Sequence, residues 1–579
     1  MPTTGPADLQ QLRDATIERR HGDRIYTSHL VRRSVREGRR VRHETIANVS
    51  KLPPEAIEAL RRALRGEAVL APGERLAIEN PLPAGHVEAA LAMARRLELS
   101  RLIDRRPSKE RELVLAMVVQ RVLEPGSKLW MARALSRSTL GAELGLEGAD
   151  QDDLYGALDW LLERQERIED RLARRHLRDG ELVLYDVSSA YFEGRSCPLV
   201  EFGHPRGGKR GTPQIVFGLL CDRSGRPLAV EVFPGSLHDD KTLPGQLDKL
   251  RRRFKLRRIV VVSDRGMVTK ANLDAMRAQA GVFWITALKA PQVKRLVRDG
   301  QLQLSLFDQQ NLAEISDEEN YPGERLVVCR NPLVAAERAR KREDLLRATE
   351  AELAPIQARV EQGTLQGEAE IGLAVGAVWN RFRMRKHFEV EISDTRLGFE
   401  RKQEQIEREA ALDGIYVLRT SVPAETLESA EVVRSYKQLK EVERGFRTIK
   451  GPELELRPIH HRLEDRVRAH VFLCTLAYYL EWHLRQTWAE LTFKDECPPI
   501  SPDPVAKAQR SPEAERKART KRTAAGQPCH SFRGLIAELA RRTQNTVRIP
   551  GGEGAFTQLS EPTPLQARAL ELVRTAEIA

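Results

Sequence analysis

The sequence has few cysteines and no long apolar segment. Its six cysteines among 579 residues are scattered, without the paired spacing of a zinc site or a disulfide framework, which favours a reducing cytoplasm. The longest apolar stretch, VFLCTLAYYL at 471–480, is about half the length of a membrane span and predicts a buried helix. The first twenty residues lack the apolar core of a signal peptide. These absences predict a cytoplasmic protein with no membrane partner.

Positive charge is in excess over the whole chain. Lysine and arginine number 95 against 83 acidic residues, for a net charge of +12, and 41% of the residues are hydrophobic. The apolar content is ample for large cores, and the length indicates several domains. A basic protein of this kind suits a polyanionic partner, and nucleic acid is the first candidate.

The spacing of apolar residues changes along the chain and divides it into segments. Strand-like pieces around a turn at Glu37-Gly38 come first, helical periodicity follows, and from residue 181 apolar strands alternate with helices. Three strands followed by helix–strand–helix–strand predict a mixed α/β core. The predicted segments are a small leader (1–70), a helical module (71–178), the first part of the core (179–290), an α+β insertion (291–412), the second part of the core (413–490), and a basic linker and tail (491–579).

Two apolar strands each lead to an aspartate. These are Asp186 in LVLYDVSS and Asp264 in IVVVSDRG, and each is predicted to end its strand. If the strands are neighbours in one sheet, the carboxylates lie close enough to repel unless one is protonated or a cation lies between them. All-oxygen ligation suits a hard divalent ion such as Mg²⁺. Taken alone, each aspartate is more often the cap of the next helix.

A third acid is expected on the amphipathic segment 430–450, which predicts one helix. Glu443 is seven residues from both Tyr436 and Lys450, so these three share one face of a helix. Glu441 is rotated from that face by about 200°. Such spacing alone is more often a solvated helix face, but together with the two aspartates it makes Glu443 the candidate third ligand.

The three segments together resemble the catalytic blocks of DDE transposases encoded by bacterial insertion sequences. The blocks are YDVSSAYFEG, VVSDRGM and YKQLKEVERGFRTIK. The third is similar to the Tyr-x2-Arg-x3-Glu-x6-Lys signature of the insertion-sequence-four superfamily, except that Leu439 stands where the signature has arginine. Lys440 is adjacent, but one helix step rotates it by about 100°. With the flanking segments PGSLHDDKTL and RPIHHRLEDRVRAHVFLCTLAYYL, the resemblance covers about 180–490.

This resemblance implies an RNase H-like catalytic core in which Asp186, Asp264 and Glu443 bind two Mg²⁺ ions, with Mn²⁺ as a substitute. It implies cleavage of DNA at the insertion-sequence ends and strand transfer into target DNA. The implied partners are the terminal inverted repeats, bound by the N-terminal part, and the target. The protein would act as a homo-oligomer, because two ends must be held together. A hairpin-ended intermediate is left open.

Several further residues are candidates for DNA contacts. The resemblance implies that Tyr436 and Lys450 contact phosphate near the cleaved end. The basic residues near the acids are expected to follow the DNA backbone, because phosphate contacts dominate affinity for DNA. They are Lys440, Arg444 and Arg447. His238 is a candidate for orienting a phosphate or a metal ligand, whereas Asp239 or Asp240 is expected to cap a helix.

Rival functions stay open at this point. A related RNase H-like nuclease would cut DNA without strand transfer, and a DNA-binding protein could keep the fold without the chemistry. A metal phosphohydrolase of small substrates is disfavoured, because DVS after the first core strand lacks the second aspartate of the common phosphatase motif.

Overall fold

The structure, a computed structural model, describes residues 12–22, 24–37, 40–65, 77–204, 211–302, 307, 311–548 and 555–577. Their contacts divide them into two units. The smaller unit comprises Met1–Pro81 and Gln544–Ser560, and the larger one Leu82–Thr543 and Glu561–Ala579.

The smaller unit is built on two three-stranded sheets. In the first, β1, β2 and β3 pair antiparallel in that order, and a helix follows. The β2–β3 pair confirms the predicted strand pieces, whose turn includes residue 38, outside the described residues. The first strand, β1, was not predicted. The elements are β1 (Leu12–His21), β2 (Arg24–Glu37), β3 (Arg40–Asn48) and α1 (Pro54–Leu64), with β4 (Ala77–Pro83), β15 (Thr543–Arg548) and β16 (Ala555–Leu559) in the second sheet, whose order is β16-β15-β4.

The larger unit begins with the predicted helical module. Its central helix, α4, is apolar on nearly every side and is buried from Leu113 to Leu123. Such a pattern requires partners all round, and α7 and the late helix α17 (Glu464–Thr487) pack against it. The module comprises α2 (Gly85–Arg96), α3 (Leu99–Ile103), α4 (Lys109–Leu123), α5 (Lys128–Leu135), α6 (Leu140–Leu144), α7 (Gln151–Leu162) and α8 (Gln165–His176).

A mixed eight-stranded sheet forms the centre of the larger unit, in the order β10-β11-β14-β9-β8-β5-β6-β7. The pairs β5–β8 and β8–β9 are parallel, and the other pairs are antiparallel. The predicted mixed α/β architecture is thereby confirmed. The strands are β5 (Leu182–Tyr191), β6 (Gln214–Asp222), β7 (Pro227–Phe233), β8 (Ile259–Ser263), β9 (Val282–Ala287), β10 (Leu312–Ile315), β11 (Arg325–Arg330) and β14 (Ile415–Thr420).

Helices connect and cover these strands. Helix α9 (Leu243–Asp248), extended by a π-helical turn at Lys249–Arg253, and α10 (Lys270–Arg277) lie between strands of the core, and α11 (Ala290–Arg298) follows β9. The segment predicted as one helix at 430–450 forms two, α15 (Ser429–Lys437) and α16 (Leu439–Lys450), with a break at Gln438. Helix α16 crosses β5 and β6, and its Phe446 ring meets the Phe217 ring of β6 edge-on at 5.2 Å.

The segment predicted as an insertion, 291–412, contains elements inside and outside the central sheet. Strands β10 and β11 fall within that range but belong to the central sheet, because β11 is buried and pairs with β14 along its whole length. Residues 332–410 lie outside the sheet and have their own small core around Leu353, Ile371 and Val375. Their elements are α12 (Pro332–Glu361), α13 (Glu368–Phe382), the hairpin β12 (Phe388–Ser393) and β13 (Arg396–Arg401), and α14 (Gln403–Ala410).

The C-terminal segment is more ordered than a basic linker and tail would be. Helices α18 (Pro512–Thr520), α19 (Phe532–Ala540) and α20 (Pro564–Thr575) belong to the larger unit, and the Trp488 Nε1–H donates to the Ala569 carbonyl at 3.0 Å. The apolar stretch at 471–480 lies in α17, whose side chains are buried there as predicted. Within the described ranges, no helix combines the length and the apolar character that crossing a membrane requires.

Candidate active site

Asp186 and Asp264 occupy corresponding positions on neighbouring parallel strands. In the β5–β8 register Tyr185 pairs with Ser263, and each aspartate is the next residue along its strand direction. Parallel neighbours lie about 4.8 Å apart, and side chains at paired positions point to the same face. The sheet therefore brings the two carboxylates together, as their predicted placement on neighbouring strands required.

The prediction that both aspartates end their strands is wrong for Asp186. Asp264 follows the last residue of β8, but β5 continues to Tyr191. The reason is β6, which pairs with β5 on its other side from Val183 to Tyr191 and so supports the strand beyond the end of β8. Asp186 is consequently a partly buried side chain in the middle of a strand.

Burial and neighbouring charges perturb the Asp186 carboxyl. The pKa of this carboxyl is raised to about 7, and burial is the largest cause. The Val187 N–H lowers the pKa, and the negative charges of Asp264, Glu443 and Asp239 raise it. That N–H donates to Asp186 Oδ1 at 2.8 Å. Asp186 is therefore within electrostatic range of three other acids. We call Asp186, Asp239, Asp264 and Glu443 the acidic cluster.

Helix α16 presents Glu443 and Glu441 to different surroundings. Gly445 and Phe446 place the helix over Leu219 and Phe217 of β6, which pair with Asp186 and Ser188. Glu443 is exposed and acts electrostatically on Asp186.

Glu441 instead lies at the turn between β6 and β7. A Cβ on Gly225 would lie 2.5 Å from the Glu441 Cβ, and a carboxylate oxygen of Glu441 is 3.5 Å from the Arg444 guanidinium. The structure therefore separates the two glutamates as the helical spacing predicts.

Tyr436 and Lys450 meet the sheet on either side of Glu443. The Tyr436 hydroxyl donates a long hydrogen bond, 3.5 Å, to Asp264 Oδ1, and burial followed by the Asp264 charge raises the pKa of the phenol. The Lys450 ammonium donates to Ser188 Oγ at 2.6 Å. Since Ser188 is two residues after Asp186, both lie on one face of β5. Tyr436 therefore lies beside Asp264, Glu443 near Asp186, and Lys450 beside Ser188.

The other predicted DNA-binding residues are not gathered at the cluster. Lys440, Arg447 and His238 are exposed, and Arg444 lines a separate cavity of about 270 Å³ with Glu441. In the described part of the chain, no hydrogen bond or ion pair joins any of these four residues to Asp186, Asp264 or Glu443. Leu439, at the position of the signature arginine, is buried in the core.

Asp239 is a member of the cluster that the sequence interpretation missed. It opens a 3₁₀ helix, Asp239–Lys241, whose N-cap residue is His238, so neither Asp239 nor Asp240 is the cap that the sequence suggested. A Cβ on Gly266 would lie 3.7 Å from Asp239 Oδ2 and 3.9 Å from Asp264 Oδ2. The two carboxylates thus flank one point above Gly266. The available signal was an acid beside His238 in the segment that follows the third core strand, β7.

The oxygen atoms of the acidic cluster suit a hard divalent cation in their chemistry, and a cation there would offset the mutual repulsion that acts on Asp186. Among the described residues, however, no three His, Cys, Asp or Glu side chains are gathered closely enough to hold a metal ion. Binding an ion would therefore require the carboxylates to draw together. Side-chain rotation is a movement that the exposed Glu443 and Asp264 are free to make.

Two family models match the chain. The model described as "Transposase DDE domain" matches residues 198–480, which include Asp264 and Glu443 but not Asp186. The model described as "IS1634 family transposase, N-terminal domain" matches residues 15–73. The first range covers the central sheet from β6 onward, and the second the strands and helix of the predicted leader.

Comparisons with individual proteins give weaker likenesses. No curated protein matches the chain. A solved structure described as a cryo-EM structure of the piggyBac transposase synaptic complex with hairpin DNA matches with a TM-score of 0.32 and 11% identity, over 79% of this chain and 76% of that one. The first match thus lies over most of the central sheet and over α16, and the second over the first sheet of the smaller unit, so these two parts of the chain are similar to a transposase DDE domain and to an IS1634 family transposase N-terminal domain.

Proposed function

We propose that the protein is a metal-dependent DNA transposase that cleaves DNA at the ends of its insertion sequence and joins them to target DNA. The observation that carries the proposal is the register of β5 and β8, which makes Asp186 and Asp264 neighbours beneath the helix that bears Glu443. Asp264, Glu443 and the elements that carry them lie within the range matched by the DDE domain model, and β5 lies just before it. The strand order β7-β6-β5-β8-β9, with three antiparallel strands and two parallel ones, supports an RNase H-like core.

Asp186, Asp264 and Glu443 are the proposed catalytic residues, and they would hold the divalent cation, Mg²⁺ or Mn²⁺. The cation supplies Lewis-acid activation of water or of a DNA 3′-hydroxyl and stabilises the leaving oxygen. The chain contributes the placement of the acids. The sheet fixes the backbone positions of Asp186 and Asp264 relative to each other, and the exposed side chain of Glu443 on α16 can adjust.

The remaining contacts of the site are suited to a phosphate. Tyr436 can donate its hydroxyl proton, because its raised pKa keeps the phenol neutral. The Lys450 ammonium, held by Ser188 Oγ, places a positive charge about two helical turns from Glu443. The narrower likeness to the insertion-sequence-four superfamily rests on Tyr436, Glu443 and Lys450. Leu439 departs from its signature, which has arginine at that position.

Incubation of the purified protein with a pre-cleaved insertion-sequence end, a supercoiled plasmid and Mg²⁺ tests this function. The expected result is a plasmid joined to the end, with no joining in EDTA. Cleavage without joined product would assign the protein to the RNase H-like nucleases. If the protein binds DNA but neither cuts nor joins it, and Asp264→Ala changes nothing, the protein is a DNA-binding protein without chemistry.

A further inference from the structure

A cavity of about 910 Å³ lies between the helical module and the chain that follows α16. Most of its polar wall is cationic or imidazole, and among its lining residues Glu455 alone is acidic. The residues that matter for its chemistry are Arg121, Lys128, Arg457, His461, Arg466 and His470. Lys450, which binds Ser188 beside the acidic cluster, also lines it.

Two cations in the wall are buried without an acidic partner. Arg121 is 2% exposed and Lys128 is 3% exposed. In the described chain neither forms an ion pair, and Arg121 Nε has no hydrogen-bond partner. The other recorded bond of the Arg121 guanidinium is a long one, 3.4 Å, from Nη1 to the Leu454 carbonyl. Burying two unpaired charges is costly unless an anion accompanies them.

The histidines of the wall do not supply that anion, but they fix the orientation of Lys128. Burial lowers the pKa of His461 to about 3 and that of His470 well below its usual value, so both rings are neutral. His470 Nε2 is 3.3 Å from the Leu456 carbonyl, which makes Nε2 the donor. His470 Nδ1 therefore accepts from the Lys128 ammonium at 3.1 Å. Burial, and then the Arg121 charge, lower the pKa of Lys128 to about 7, an effect that a bound anion would reverse.

Lys450, which donates to Ser188 of β5 and lines the cavity, connects the cavity to the acidic cluster. Asp186 and Ser188 face α16, and Tyr191 at the end of the same strand lines the cavity, where the Arg457 guanidinium stacks 5.1 Å from its ring centre. Tyr191 is five positions after Asp186 along the extended strand, a span of about 17 Å. A few nucleotides of one DNA strand cover that distance.

We propose that this cavity binds a backbone phosphate of the DNA strand whose end is processed at the acidic cluster, with Arg121 and Lys128 as its buried donors. The proposal rests on the proposed function for the nature of the strand. It assigns to the helical module, through α4 and α5, a direct contact with the reacting DNA. Free phosphate has the same chemistry and is the alternative source of the anion.

The test uses full-length protein in EDTA and a duplex carrying the inverted repeat found beside the gene. Lys128→Met removes one buried donor, and Arg457→Gln is a second, less buried variant in case the first does not fold. Lys109→Met is the matched control, because Lys109 is at the opposite end of α4 from Arg121, about 18 Å away. Circular dichroism checks that each variant is folded.

Lys128→Met is expected to weaken binding of the duplex about tenfold, as removal of a charged hydrogen-bond donor does. The slope of log K against log[salt] should become shallower by about one unit. Lys109→Met should match the wild type. Replacing single phosphates by methylphosphonates should identify one position that weakens wild-type binding and has no further effect in Lys128→Met.

Two results would overturn the proposal. One is unchanged affinity and slope in both Lys128→Met and Arg457→Gln. The other is thermal stabilisation of the wild type by inorganic phosphate, absent in Lys128→Met, without any change in DNA binding; it would assign the cavity to free phosphate. A joining assay on the same preparations separates the two ideas, since a wild type that binds DNA through the cavity but never joins it contradicts only the proposed function.

Discussion

Asp264 lies beside Asp186 because the residues before them, Ser263 and Tyr185, are partners in the parallel β5–β8 pair. We expect Asp186→Asn and Asp264→Asn each to reduce joining of an insertion-sequence end by about 10³-fold, since each removes a charge from the place where the metal would bind. DNA affinity in EDTA should not fall. Asp274→Asn, an exposed aspartate of α10, is the control and should leave joining within twofold of the wild type.

Glu443 and Glu441 form a matched pair on one helix. Glu443→Gln should reduce joining about as much as the aspartate variants do, because the Glu443 carboxylate lies within electrostatic range of Asp186. Glu441→Gln should keep most of it, because Glu441 lies against Gly225 and pairs with Arg444. Single-turnover joining assays measure both. Equal losses in the two variants would show that the helix, and not the Glu443 carboxylate, is what the reaction requires.

Asp239 is expected to position the cluster. Asp239→Asn should slow joining by about 10–100-fold, the usual effect of altering a group that supports metal ligands, and should shift the Mg²⁺ concentration for half-maximal rate upward. Asp240→Asn is the neighbouring control, because the recorded bond of Asp240 to Asn272 uses the backbone carbonyl. A shift in metal dependence for Asp240→Asn alone would contradict this assignment.

Variants of Lys450 and Ser188 distinguish two possible requirements for DNA binding: the Lys450 charge itself, and the hydrogen bond between Lys450 and Ser188. Lys450→Met should weaken binding of an insertion-sequence end about tenfold through loss of a phosphate contact, whereas Ser188→Ala should change it by no more than about threefold, because the ammonium charge is kept. Fluorescence anisotropy at fixed salt gives both values. Lys341→Met on the surface of α12 serves as the control. Similar effects of Ser188→Ala and Lys450→Met would mean that Lys450 acts through the sheet.

Lys128 gives a pH dependence of stability. Its pKa falls from 10.5 in the unfolded chain to about 7 in the fold, so the unfolded state binds more protons between these values and stability rises with pH there. The cost of burying the charge is fully present below pH 7 and absent above pH 10.5. The groups that face Lys128 are Arg121 on α4, His470 and Cys474 on α17, and His461.

Lys128→Met should therefore be more stable relative to the wild type at pH 6 than at pH 10, by about 2–5 kcal/mol. Urea unfolding at both pH values, in buffers without phosphate, measures the difference. His461 and His470 are neutral in the folded protein at pH 6 and at pH 10, so their charge does not change the difference in stability between the two proteins. A constant difference between the two proteins would show that Lys128 does not carry a buried charge.

The sequence predicts the central pairing of the site because its signals are local. Apolar runs ending near Asp186 and Asp264 specify two buried strands, and the spacing of Glu443 and Lys450 specifies one face of α16. The break at Gln438, which puts Tyr436 on a separate helix, was not predicted. What the sequence does not show is β6, which extends β5 past Asp186. The sequence also does not show that Asp239 lies near Asp264, because its position depends on the conformation of the segment between β7 and α9.

The burial of Arg121 and Lys128 is a second feature that the sequence alone does not predict. Lys128 and Arg121 stand among apolar residues in the sequence, where such side chains are ordinarily at the surface of a helix. Their burial is set by α17, from more than 300 residues further along the chain. The place of β10 and β11 in the sheet depends on distant residues in the same way, because β11 pairs with β14 and β10 pairs with β11.

The segment α12–α14 leaves the central sheet after Arg330, and the chain rejoins the sheet at Ile415; these two residues face each other across the β11–β14 pair. Its entry and exit are thus a single strand spacing apart, so a tight turn could close the same gap. An ancestral or descendant protein could exchange this stretch for a longer, shorter or unrelated one while the strands on either side kept their partners. Differences in length and sequence among such proteins are therefore expected to concentrate between Arg330 and Ile415, and the carboxylates of the acidic cluster are expected to stay unchanged.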